Sequence, residues 1–134
     1  MFCIDASVII SAARGGEHFS DRSKAFLDMI RRDRLKAFLP EIAIAEVASG
    51  LFRATHNASF STAFAQSLRT IPNFSFVAMD SHLTDRAVEV IGHTGLRSAD
   101  ALYVALAFDY GLTLITLDRE QMRKSRDIVS VKEP

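Results

Sequence analysis

Short apolar runs alternate with helix-period stretches along the whole chain, and no other feature constrains the fold as tightly. FCIDA (2–6), KAFLP (36–40), FSFVAM (74–79), LTLITL (112–117) and IVSV (128–131) are rich in Val, Ile, Leu and Phe, as buried strands are. Between them, SDRSKAFLDMIRRD (20–33) sets Phe26, Leu27 and Ile30 on one face and charges on the other. EIAIAEVASGLFRATH (41–56) and SFSTAFAQSLRTI (59–71) read as a helix pair joined by a turn at Asn57. SHLTDRAVEVIGHT (81–94) and SADALYVALAFDYG (98–111) follow, the last stopped by Gly111. Strands alternating with helices imply βαβ units. The expected fold is α/β, a three-layer α/β/α sandwich with a mostly parallel central sheet, and a single domain over residues 1–134.

Composition narrows the function classes. Lys plus Arg equals Asp plus Glu at 16 each, which argues against a wholly basic nucleic-acid surface but leaves local patches open. One cysteine, Cys3, excludes an intrachain disulfide and a cysteine-based zinc site. No apolar run approaches the ~20 residues of a membrane span, and the N-terminus lacks the marks of a signal peptide. A cytoplasmic protein is expected.

In a parallel sheet the carboxyl ends of the strands and the starts of the following helices share one edge, where open α/β folds place ligands. Asp5 ends the first run, Asp80 follows FSFVAM and Asp118 ends LTLITL. Glu46 lies in the second turn of the helix after KAFLP, and Asp100 in the first turn of SADALYVALAF. Topology thus sends these acids to one edge, although they are spread over more than a hundred residues. Alternation adds that Thr116 shares a face with Asp118, and Ser7 with Asp5 if the first strand runs on.

Clustered carboxylates repel and take up protons unless a cation neutralises them. Oxygen donors without histidine or thiolate suit hard ions such as Mg²⁺ or Mn²⁺. Such a site can clamp a phosphoryl oxygen and lower the pKa of a bound water, the chemistry of phosphodiester hydrolysis.

CIDASVII, PEIAIAEVASGL and LRSADALYVALAFDYGLTLITLDRE together resemble the PIN-domain ribonucleases, most of all the toxins of VapBC-type toxin–antitoxin modules. The resemblance implies that Asp5, Glu46, Asp100 and Asp118 form the catalytic quartet, with Asp5, Asp100 and Asp118 on the metal and Ser7 and Thr116 in support. It implies a Mg²⁺- or Mn²⁺-dependent endoribonuclease that is a homodimer inhibited by a cognate antitoxin. Asp80 has no place in that pattern and is read as a helix N-cap.

Each residue also has a plainer reading. Asp5 and Asp118 can cap helices, Asp100 can complement a helix dipole, and Glu46 can be solvated. Ser7 can cap, and Thr116 can be a plain strand residue. Arg14, Arg97 and Arg119, with Arg123 and Lys124, are candidates to hold RNA phosphates on the acidic edge. RRDRLK (31–36) falls at the opposite edge and is read as a solvated face. The helix pair carries Leu51, Phe52, Phe60, Phe64, Leu68 and Ile71, split between core and an antitoxin groove. Val88, Ile91, Val104 and Phe108 are candidates for a dimer face. Two alternatives stay open: a phosphoacceptor receiver domain built on Asp80, and a PIN-like module that binds without cutting.

Overall fold

Five strands hydrogen-bond into one all-parallel sheet in the order β3-β2-β1-β4-β5. They are β1 (Phe2–Ile4), β2 (Ala37–Pro40), β3 (Phe74–Val77), β4 (Thr113–Ile115) and β5 (Val131–Lys132). The structure, a computed structural model, describes residues 1–134. The strands are shorter than the apolar runs that announce them. FCIDA stops at Ile4 because Asp5 already caps the next helix, and LTLITL stops at Ile115. Most of IVSV precedes β5. Ser7 is therefore helical, and strand alternation does not pair it with Asp5.

Seven helices cover the sheet: α1 (Ala6–Arg14), α2 (Ser20–Arg32), α3 (Ile42–Thr55), α4 (Ala58–Ser67), α5 (Ser81–Thr94), α6 (Ser98–Tyr110) and α7 (Arg119–Ser125). The stretch 59–71 is not one helix, for α4 tightens into a 3₁₀ turn over Leu68–Thr70. The result is the expected three-layer α/β/α arrangement. Helix α1 packs on α2 and α3, while α6 packs on α5 and crosses β1, β2 and β4. Ala101 and the run Tyr103–Ala107 are all buried, so α6 is apolar nearly all round, as a helix sandwiched between layers must be. It ends at Gly111, whose φ of 61° is the left-handed value glycine adopts without penalty. Gly50 lets α3 approach α1 closely: a Cβ there would run into the Ile10 side chain. None of the helices is long and apolar enough to cross a membrane.

The strand order positions the site. From β1 the chain builds outward through β2 and β3, then returns to lay β4 on the other side of β1. Connections leaving β1 and β4 thus diverge, which opens a crevice beyond their carboxyl ends, the switch point of a doubly wound sheet. A receiver domain has the order 2-1-3-4-5. The observed order excludes that alternative.

Candidate active site

Asp5 and Asp118 emerge from β1 and β4 on the two sides of the switch point. Each caps the helix that follows: Asp5 Oδ2 accepts from the Ser7 N–H at 2.9 Å, and Asp118 Oδ1 accepts from the Gln121 N–H at 2.9 Å. The capping reading therefore holds for both residues, and it does not compete with their place at the cleft. A cap uses one acceptor position of the carboxylate and leaves others available. Glu46, from α3, and Asp100, from the first turn of α6, complete a cleft of about 400 Å³ lined by all four acids with Ser7, Arg53 and Arg97. Asp80 is absent from it; that carboxylate accepts from the Leu83 N–H at 2.9 Å and caps α5.

Both hydroxyls accept from the backbone, and the Ser7 side chain also lowers the Asp5 carboxyl. Ser7 Oγ accepts from the Leu117 N–H at 3.1 Å, and Thr116 Oγ1 accepts from the Asp118 N–H at 3.0 Å. Together they fix the turn that carries Asp118. Two residues that sequence reasoning missed touch the acids directly. Tyr103 Oη donates to Glu46 Oε2 at 2.6 Å, and Gln121 Nε2 donates to Asp5 Oδ1 at 3.4 Å. Tyr103 carries a signal, since it lies one turn after Asp100 on the same helix face. Gln121 sits at the third position after a capping aspartate, where a capping box would turn it back to the cap's own N–H. Tertiary contact diverts it to Asp5 instead.

Burial dominates the electrostatics. Asp5, only 6% exposed, has its carboxyl pushed above the ordinary value by desolvation and further by the charge of Asp100, against hydrogen bonding from the side chain and N–H of Ser7 and from Gln121. Glu46 is raised first by burial and then by Asp5 and Asp100, with the Tyr103 hydrogen bond opposing. Asp100 is raised by burial and by Asp118, although Arg97 lowers it. Beside these acids, the buried Tyr103 phenol is held well above its usual range. Three acids are thus elevated in one cleft, the signature of a site that wants positive charge.

The donor set is all oxygen, which fits a hard divalent cation. As the side chains stand, no three of them are gathered to close around an ion. Mg²⁺ does not require that, because it keeps several waters and binds through one or two carboxylates. A cation is already present: the Arg97 guanidinium lies 3.2 Å from Asp100 Oδ2 and 3.7 Å from Asp118 Oδ2. The residues therefore fit such a cation in charge and chemistry, with Arg97 partly neutralising Asp100 and Asp118.

Of the basic residues named from sequence, Arg97 lines the cleft and Arg119 and Arg123 are exposed on α7. Lys124 is engaged with the Gly95 carbonyl and Glu120. Arg14 was expected on the acidic edge and is not there. It is the last residue of α1, a helix about 13 Å long that starts at the site and runs away from it, and it pairs with Glu17. Arg53 takes its place among the cleft residues, projecting from α3 where the sequence singled out no basic group. Among the apolar candidates, Leu51, Leu68 and Val104 belong to the core, whereas Phe52, Phe60, Val88 and Phe108 are exposed.

Solved structures with this fold include VapC20 of Mycobacterium tuberculosis, a Sarcin-Ricin loop cleaving toxin, at a TM-score of 0.79 and 14% identity over 100% of both chains. FitAcB from Neisseria gonorrhoeae is similar at a TM-score of 0.74 and 22% identity, covering 100% of this chain and 98% of that one. VapBC2 from Rickettsia felis, bound to a DNA fragment from its promoter, aligns at 0.73 and 13% over 99% and 98%. No curated protein matches the sequence. The PIN domain family model matches residues 2–127, nearly the whole length. With that match, the fold and the acid-lined cleft at its switch point, the chain belongs to the PIN-domain family.

Proposed function

We propose that this protein is a metal-dependent endoribonuclease, the cytoplasmic toxin of a toxin–antitoxin pair, in which Asp5, Asp100 and Asp118 hold Mg²⁺ or Mn²⁺ and Glu46 faces them. The observation that carries this reading is the convergence of four acids from four separate elements on one cleft, three of them elevated. When bound, the ion would lower the pKa of water and neutralise charge on a phosphoryl oxygen. The chain supplies the rest. Tyr103 holds one oxygen of Glu46, which leaves Oε1 free to take a proton from the attacking water. An elevated carboxyl suits that task, because proton transfer is most efficient when the pKa lies near the working pH. Arg53 and Arg97 reach flanking phosphates. The fold likeness to VapC20, a Sarcin-Ricin loop cleaving toxin, favours a structured RNA as substrate.

The partners follow from the same relatives, several of which are toxin–antitoxin complexes. Exposed Phe52 and Phe60 on α3 and α4 are candidates for the antitoxin surface, and Val88 and Phe108 for a homodimer face. The test is cleavage of a pool of structured RNAs by antitoxin-free protein with Mn²⁺, Mg²⁺ or EDTA, beside Asp100→Asn. Discrete cuts that need the ion and vanish in the variant are expected. Cuts that survive EDTA, or survive the substitution, reject the reading, and folded protein that binds Mn²⁺ but cuts nothing favours a non-cutting module. Arg97→Ala should weaken RNA binding several-fold whatever the cut sequence, and lower the slope of log affinity against log salt by about 1. A slope equal to wild type would remove Arg97 from the phosphate path.

A further inference from the structure

Gln121 is fully buried on α7, and its Oε1 has no hydrogen-bond partner. A buried acceptor without a protein partner costs stability and offsets part of what the residue's hydrogen bonds contribute. Its contacts show what the residue joins. The Gln121 N–H meets Asp118 Oδ1 at 2.9 Å, Nε2 meets Asp5 Oδ1 at 3.4 Å, and the same Nε2 meets the Asp100 carbonyl at 3.2 Å. One residue therefore joins the ends of β1, α6 and α7, and each of those ends carries an acid of the cleft. The link to Asp118 uses only the main chain, which any residue supplies. The links to Asp5 and to the first turn of α6 need a donor of glutamine's reach.

We propose that Gln121 is a positioning residue that sets the spacing of Asp5 against Asp100, and so the affinity of the cleft for a divalent ion. The proposal rests on the metal-dependent reading above. Nothing in it requires Gln121 to touch the ion or the RNA. Its amide N–H aims the Oδ1 of Asp5, while the Ser7 N–H holds Oδ2, so both oxygens of a buried carboxylate are oriented by fixed donors. Donors behind a metal ligand typically govern affinity or activity by 10–100-fold. The rival account is that Gln121 merely fills space between α7 and the sheet. A side chain of similar length and no donor would fill it as well.

That difference decides the experiment. Mn²⁺ affinity, read by electron paramagnetic resonance, and the melting temperature in EDTA are measured for wild type, Gln121→Met, Gln121→Asn and Asp100→Asn. Gln121→Met is expected to melt within a few degrees of wild type, since it removes an orphan acceptor together with two long hydrogen bonds. It should bind Mn²⁺ about 10–100-fold more weakly. Its kcat for RNA should fall while KM is unchanged. Gln121→Asn keeps the amide but falls short of Asp5 by one methylene and should lose affinity likewise, which covers the case of a methionine that fails to fold. Wild-type Mn²⁺ affinity in both variants, or an affinity lost only in proportion to melting temperature, overturns the proposal while Asp100→Asn still loses the ion. If wild type binds Mn²⁺ no better than Asp100→Asn, the metal-dependent reading falls and the proposal with it.

Discussion

Asp5→Asn is expected to fold, to keep α1 capped, and to cut RNA about a thousandfold more slowly than wild type or worse. Asparagine ranks with aspartate as a cap, so the hydrogen bond from the Ser7 N–H survives the change. What is lost is a buried negative charge in the cleft proposed to hold the metal. Transition-state stabilisation of that kind is worth several kcal/mol, and about 4 kcal/mol is three decades of rate. The same substitution has an effect of opposite sign on stability without metal. The folded carboxyl of Asp5 is raised above its unfolded value, so the unfolded chain releases this proton first. Its penalty is absent below about pH 4, grows as pH rises through the folded value, and is complete above it. In EDTA the stability advantage of Asp5→Asn should therefore widen from pH 4 upward and then level off. Urea titrations across that range check it, and a gap that narrows as pH rises would show that burial does not elevate Asp5.

The second large effect lies beneath the site. Leu114 on β4 is fully buried and stands opposite Cys3 of β1, on the two strands that lead to Asp5 and Asp118. Leu114→Ala leaves a cavity between close-packed layers and should cost about 3 kcal/mol. That is a large share of the roughly 5–15 kcal/mol that holds a domain folded. For a chain of this size the melting temperature should drop by roughly 10 °C. Activity per folded molecule should persist at low temperature, because the acids are held by their own caps and partners. A variant that melts like wild type but has lost activity would mean that β4 places Asp118 through packing and not through the turn fixed by Ser7 and Thr116.

Much of the fold was legible because its signals are local. Apolar runs of strand length, helix-period stretches and the stop at Gly111 each report on a few neighbouring residues. Even the meeting of Asp5, Glu46, Asp100 and Asp118 could be inferred, since parallel strands send every strand end to one edge. Local signals failed where an element's limits depend on what competes for it. Asp5 and Asp118 end their strands early by capping α1 and α7, so Ser7 reaches the cleft from the first turn of a helix and not by strand alternation. Arg14 was misplaced for a related reason: a helix that starts at the site must carry its last residue away from it.

Residue identity alone dictated the chemistry of the cleft: all-oxygen donors, excess negative charge and no thiolate or histidine set. How that charge is held depends on packing. The packed fold set the order β3-β2-β1-β4-β5, which splits the connections between β1 and β4 and opens the crevice there. It brought Tyr103 to Glu46 across 57 positions and Gln121 to Asp5 across 116, and it laid Arg97 against Asp100 and Asp118. Caps and periods are written in adjacent residues. Hydrogen bonds between a buried acid and a distant donor exist only once helices from separate parts of the chain have packed on one sheet.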